Sequence, residues 1–146
     1  MGRVADILRA KGPNVHSIDP AATVYKAVRQ MVDHNVGSLL VMKEEEIQGI
    51  ITERDYLREI VLKGRTSRET PVAQIMTRKM ICVDPNVEIE SCMGIMTEKR
   101  IRHLPVLDGG RLAGLISIGD VVKQLTKDQK HEIRYLTDYI TGKYPA

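Results

Sequence analysis

The feature that most restricts how this 146-residue chain can fold is an internal repeat. Moved by 65 positions, residues 19–60 align without a gap on residues 84–125. Asp19-Pro20 falls on Asp84-Pro85, Val41 on Val106, Gly49-Ile50-Ile51-Thr52 on Gly114-Leu115-Ile116-Ser117, and Asp55 on Asp120. A piece ahead of each copy also recurs: Val4-Ala5-Asp6-Ile7-Leu8 resembles Val72-Ala73-Gln74-Ile75-Met76 at an offset of 68, so the first copy holds three extra residues within 9–14. A unit of about 60 residues is marginal by surface-to-volume scaling, and one repeat cannot bury both faces of a small sheet. The two copies are therefore expected to pack on each other about a pseudo-twofold axis, as a mixed α/β (α+β) fold with their sheets packed together.

Within each copy the patterning reads as strand, helix, strand, strand, helix. Short strands are expected over 15–18 and 80–83, each stopped by Asp-Pro because proline cannot donate to a ladder. Val24, Ala27, Val28, Met31 and Val32 then form one helical stripe, repeated by Ile89, Cys92, Met93 and Met96. Apolar runs at 39–42 and 47–51 flank the polar turn 43–46, and runs at 104–107 and 112–116 flank 108–111, as hairpins do. A closing helix is expected to start at Asp55 and at Asp120. The resulting division is unit one with a lead helix over 1–62, a polar, breaker-rich linker over 63–71, unit two over 72–127, and a helix and tail over 128–146 with Ile133, Leu136 and Ile140 on one face.

Composition narrows the function. The chain has no Phe or Trp and only five Tyr, which leaves no platform for stacking bases, and its net charge of +3 is too mild for a phosphate-backbone binder. Nucleic acid is not an expected partner. No apolar run approaches the ~20 residues of a membrane span and the N-terminus has no signal-peptide core, so a cytoplasmic protein is expected, with no membrane partner. Cys82 and Cys92 have no metal-ligand spacing and read as reduced, buried thiols. The four histidines form no HExxH or triad pattern, so no catalytic residue, no metal site and no enzyme activity are expected.

The chemistry-bearing signal is Gly49-Ile50-Ile51-Thr52-Glu53-Arg54-Asp55, matched by Gly114-Leu115-Ile116-Ser117-Ile118-Gly119-Asp120. A hydroxyl followed three residues later by a carboxylate is an ordinary capping box. Here it occurs twice, each time where an apolar strand becomes a helix. A helix start attracts phosphate, and a carboxylate one turn on can accept both hydroxyls of a ribose. The copies differ nearby. Lys99-Arg100-Ile101-Arg102-His103 corresponds to uncharged His34-Asn35-Val36-Gly37-Ser38, and Arg54 corresponds to Gly119. Strand alternation should send Arg100 and Arg102 to one side. Two sites of unequal phosphate affinity are expected.

With the repeated Gly-apolar-apolar-[Thr/Ser]-x-x-Asp motif, the Arg-His-Leu-Pro-Val strand at 102–106 and the Val-x-x-Ile-Met-Thr opening at 72–77, the chain resembles a tandem pair of CBS domains over roughly residues 3–127. The resemblance is to free-standing pairs, the Bateman module. It implies a regulatory module with no obligatory cofactor that binds an adenosine-containing ligand: AMP, ADP, ATP, NAD(H) or S-adenosylmethionine. Asp55 and Asp120 would then take ribose. Thr52 and Ser117 would contact phosphate, with Arg54, Gly119, Arg102 and His103 nearby. The adenine pockets would be lined by Val15, Val36, Gly37, Ser38, Ile51, Thr77, Met80, Ile101 and Ile116, Asp120 facing 15 and 36–38, and Asp55 facing 77, 80 and 101–103. The resemblance also implies a homodimer and an unidentified regulated protein. The competing reading is a ligand-free dimerisation scaffold with the same fold.

Overall fold

The computed structural model describes residues 2–127, so the helix expected after residue 128 lies outside the described residues. The elements run α1 (Val4–Lys11), β1 (Ser17–Ile18), α2 (Val24–His34), β2 (Ser38–Lys43), β3 (Glu46–Thr52), α3 (Glu53–Tyr56), α4 (Ile89–Lys99), β4 (His103–Asp108), β5 (Arg111–Ser117) and α5 (Ile118–Leu125). A π-helical turn at Leu57–Val61 prolongs α3, and a single 3₁₀ turn occupies Val72–Gln74.

The hairpins form as the apolar runs require, and they match each other in detail. β2 pairs with β3 and β4 with β5, both antiparallel, with a register shift after Val41 in one and after Val106 in the other. Each turns through two residues of positive φ, Glu44 and Glu45 in the first and Gly109 and Gly110 in the second. That is the backbone of a tight two-residue hairpin, which glycine adopts freely and glutamate only at a cost. The expected first strands are shorter than the sequence suggests. In the first copy only Ser17 and Ile18 pair, parallel to Leu40 and Val41. In the second, 80–83 reduces to one bridge, Val83 to Val106. A strand ended by Asp-Pro after so few residues has little ladder left to make.

Packing ties the two units together through their lead segments. One core gathers Ile18, Val24, Ala27, Met31, Leu39, Val41, Ile51 and Ile60 with Val72, Ile75 and Met76 from the opening of the second copy. The other gathers Val83, Ile89, Cys92, Met96, Leu104, Val106, Ile116 and Val121 with Val4 and Ile7 from the opening of the first. Each lead segment thus crosses over and closes the opposite unit. Backbone hydrogen bonds fix the exchange symmetrically: Val4 and Ala5 N–H donate to the Val87 and Pro85 carbonyls, and Val72 and Ala73 N–H donate to those of Ala22 and Pro20. The segment 63–71, expected as a linker, is tied down, with Val24 N–H donating to the Thr70 carbonyl and Thr70 itself buried.

The crossover explains the motif's glycine. A Cβ on Gly49 would stand 2.6 Å from the Thr77 carbonyl oxygen, and one on Gly114 would stand 2.5 Å from Leu8 Cδ2. In both units the lead segment lies directly on the strand there. Two smaller expectations are corrected. Val32, placed in the apolar stripe, is 72% exposed, because the stripe that reaches the core is narrowed to Val24, Ala27 and Met31, with Val28 at its edge. Cys82 is exposed and only Cys92 is buried; both are free thiols.

Candidate functional site

The two strand-to-helix corners are built alike. The closing helices begin at Glu53 and Ile118, two residues earlier than expected, because Thr52 and Ser117 are the caps and the aspartates sit at the third helical position. Asp55 N–H donates to Thr52 Oγ1 at 3.2 Å and Thr52 N–H to Asp55 Oδ2 at 2.9 Å. In the second copy Asp120 N–H donates to Ser117 Oγ at 3.1 Å and Ser117 N–H to Asp120 Oδ2 at 2.8 Å. Capping therefore uses one carboxylate oxygen of each aspartate. The Gly37 and Arg102 carbonyls hold the same helix starts by accepting from the Glu53 and Ile118 N–H groups.

What surrounds the carboxylates differs. Thr77 Oγ1 donates to Asp55 Oδ1 at 3.1 Å, so Thr77 reaches Asp55 across the unit boundary as expected. No cation bonds Asp55 among the described residues. Burial, only partly offset by hydrogen bonds from Thr52 and Thr77, pushes its carboxyl above the usual carboxylate range. Beside it opens a cavity of about 530 Å³ lined by Asp55, Arg58, Glu59, Leu62, Lys63, Ile75, Met76 and Thr77, a volume within the usual range for small-ligand pockets.

Asp120 instead meets Lys11, whose Nζ lies 2.7 Å from Asp120 Oδ2 and donates also to the Leu115 carbonyl. Burial opposes the Asp120 charge, but Lys11 and the Ser117 N–H outweigh it and hold the carboxyl below its usual value. His103 lies close by, with its Cε1 3.5 Å from where a Cβ on Gly37 would stand, so Gly37 and His103 do meet across the boundary. Burial first, then the Lys11 charge, drives the His103 imidazole down to about 4, with Asp120 pulling the other way. His16, stacked on His34 at 4.1 Å between ring centres, is likewise lowered by burial and by the charges of His34 and Lys11.

The remaining site expectations separate. Arg54 and Arg102 share a second cavity, of about 290 Å³, with Arg100, Ile101, Met96, Thr97 and Ile118, and neither aspartate lines it. Arg100 is not in the strand, as alternation had suggested; it caps α4 with a left-handed backbone. Ile51 and Ile116, expected on adenine walls, are fully buried in the two cores. Strand alternation decides this, because Ile51 pairs with Leu39 and Ile116 with Leu104 on the helix-facing side of each hairpin. Val36 packs at the edge of the first core and Ser38 is buried, while Val15 and Met80 are half-buried and line neither cavity. Gly119 is exposed beside the Ser117 hydroxyl. Lys11 was missed by the sequence reading. Its one signal was the three-residue excess in the first copy, the segment in which it lies.

The model of the CBS domain matches residues 4–62 and 72–127. The chain belongs to the CBS-domain family. It is 42% identical over 150 residues to the mitochondrial CBS domain-containing protein CBSX3 of Arabidopsis thaliana, covering 97% of this chain and 73% of that one. CBS domain-containing protein YhcV of Bacillus subtilis is 30% identical, over 78% of this chain and 81% of that protein. Among solved structures, a putative signal-transduction protein with CBS domains from Burkholderia ambifaria superposes with a TM-score of 0.84 at 48% identity, covering 87% of this chain and 96% of that chain. The chain is thus a CBS pair, a regulatory module, and no helix among the described residues is long and apolar enough to cross a membrane.

Proposed function

We propose that this CBS pair is a non-catalytic sensor of an adenosine-containing ligand, with Asp55 as its first ribose acceptor. The observation that carries the reading is the open cavity of about 530 Å³ beside a carboxylate that no cation neutralises among the described residues. There the ribose hydroxyls donate to Asp55, while Ile75, Met76 and Leu62 offer an aliphatic wall to adenine in place of aromatic stacking. Asp120 would take a second ligand only if Lys11 left Oδ2. A CBS pair solved with 5′-methylthioadenosine and S-adenosyl-L-methionine shares the fold at 21% identity; it supports what such a fold can hold, and the choice among AMP, ADP, ATP, NAD(H) and S-adenosylmethionine rests on this chain's own residues.

Regulation would run through assembly. Leu57, Val61 and Leu62 are 53%, 52% and 80% exposed within one helical turn, apolar surface suited to a homodimer or a regulated partner. Leu62 also borders the Asp55 cavity, which links occupancy to that surface. The same apolar residues are what the scaffold reading needs. Thermal-shift titration with adenosine, AMP, ATP, NADH and S-adenosylmethionine decides between them, since a ligand at 100 times its Kd stabilises the fold by ~2.7 kcal/mol. Stabilisation lost in Asp55→Ala supports the sensor. No stabilisation by any of the five leaves the scaffold. Unliganded Asp55→Ala is measured beside it, because the cap alone is worth about 0.5–2 kcal/mol.

A further inference from the structure

The first half of α2 presents a charged surface that neither aspartate corner uses. Tyr25 and Arg29 stand one turn apart on α2, and the Arg68 guanidinium, from the segment 63–71, lies over the Tyr25 ring at 3.9 Å from its centre. Backbone bonds lock the two pieces of chain together: Tyr25 N–H donates to the Ser67 carbonyl at 3.0 Å and Val24 N–H to that of Thr70 at 2.8 Å. The fold itself therefore holds Arg68 against Tyr25. A hydrogen bond from Arg29, and then the charge of Arg68, hold the Tyr25 phenol below its usual value. Lys26, three residues before Arg29, adds a third cation to the face.

No anion on the chain answers these cations. Lys26, Arg29 and Arg68 are exposed, and none joins an ion pair among the described residues. Of the two nearby carboxylates, Asp33 acts on Arg29 through its charge alone, and Glu69 accepts from the Thr66 hydroxyl at 3.4 Å. The repeat shows that the fold does not require the cluster: α4, the twin of α2, has Glu90, Ser91 and Gly94 where α2 has Tyr25, Lys26 and Arg29. None of the four residues lines either cavity, so the face is open, whereas small-molecule sites are concave. Tyrosine and arginine are the residue types enriched where proteins bind one another. A guanidinium already stacked on a ring also loses less freedom when it takes a carboxylate.

We propose that Tyr25, Lys26, Arg29 and Arg68 form a docking surface for an acidic protein segment, whose carboxylates pair with the two guanidiniums while Tyr25 serves as the platform of Arg68. The surface belongs to the first unit only, lies outside both aspartate corners, and is tested without any adenosine ligand. The stretch of chain that carries Arg68 nevertheless begins at Lys63 and ends at Ile75, Met76 and Thr77, all of which line the Asp55 cavity.

Fluorescence anisotropy of a short, dye-labelled polyglutamate peptide against the full chain tests it. Binding is expected at low salt and should weaken as salt rises, and a polyglutamine peptide of the same length should not bind. Arg29→Gln and Arg68→Gln should each weaken binding about two- to fivefold, the range of an exposed ion pair. Arg111→Gln removes the same charge at the far end of the β4–β5 hairpin and should leave binding unchanged. Tyr25→Leu removes no charge and should still weaken binding about twofold, because Arg68 loses its platform. Cooperative thermal melts verify that each variant folds. The proposal is overturned if polyglutamate does not bind, if polyglutamine binds as well, if Arg29→Gln and Arg68→Gln lose no more than Arg111→Gln, or if Tyr25→Leu binds like the parent. Displacement of the peptide by inorganic phosphate at constant ionic strength makes the face a small-anion site, and tighter binding of a single-stranded oligonucleotide makes it a nucleic-acid site; either result removes the proposal. Self-association that these variants break, with no peptide bound, assigns the face to a second copy and removes it too.

Discussion

Asp55 and Asp120 occupy the same position of the same repeated motif, make the same capping box, and are pushed in opposite directions. Asp55 has Thr77 as its cross-unit neighbour and is raised by burial; Asp120 has Lys11 and is lowered despite burial. The corner is a local device, written in five or six residues. Its electrostatics belong to whatever the crossing lead segment delivers, and the lead segments differ by three residues in length.

The largest expected difference between the halves is a pH effect seated at His103. Its folded value of about 4 lies below the ordinary 6.5, so between those values the unfolded chain binds more protons than the folded one. Stability therefore rises with pH through that window and is lost as pH falls from 6.5 toward 4, by up to about 3 kcal/mol. Denaturant titrations at pH 7 and pH 4.5 should show the loss, and His103→Asn should flatten it. An unchanged slope in His103→Asn would place the acid sensitivity elsewhere. The counterpart Ser38→Ala should leave the pH profile as it is.

Next come the motif glycines. Gly49→Ala sets a methyl against a backbone carbonyl, and Gly114→Ala sets one against the end of the Leu8 side chain. Strain of about 2–3 kcal/mol is expected in the first and under about 1 kcal/mol in the second, where a leucine can turn aside. Equal melting temperatures in the two variants would contradict the crossover geometry. Smaller still, Thr52→Ala and Ser117→Ala should each cost about 1 kcal/mol, and should cost the same, because here the two copies are alike.

The Lys11–Asp120 pair should matter least to stability and most to the contrast. Lys11 is about a third exposed, with 35% of its side chain accessible, so Lys11→Met should change stability by less than about 1 kcal/mol. NMR titration should nevertheless show the Asp120 carboxyl rising, since burial is then opposed by the Ser117 hydrogen bonds without the Lys11 charge, and the His103 imidazole rising with loss of the neighbouring cation. If Asp120 stays low in Lys11→Met, the salt bridge is not what separates the two corners.

Much of this was legible in the sequence because it is local or periodic. The repeat, both hairpins and their turns, both capping boxes and both helical stripes, the first narrowed by the loss of Val32, follow from spacing. Two kinds of error share one cause. Ile51 and Ile116 lie in the cores and not on ligand walls, because alternation from Thr52 and Ser117 leaves the face of a strand undecided until its partner layer is known. Val32, at the edge of a periodic stripe, and Cys82, a thiol without ligand spacing, are exposed, because neither periodicity nor spacing says which flank of a helix or loop meets the rest of the core.

The sequence by itself determined that this is two copies of one small unit, with a hydroxyl and a carboxylate at each strand-to-helix corner, since these depend on residues a few positions apart. Only the tertiary structure decided that each lead segment closes the opposite core, that Lys11 lands on Asp120 and Thr77 on Asp55, and that Arg54, Arg100 and Arg102 converge. Those juxtapositions join residues 22 to 109 positions apart, or 46 in the case of Arg54 and Arg100. Burial and Coulomb interaction act through space, so chain spacing does not encode them.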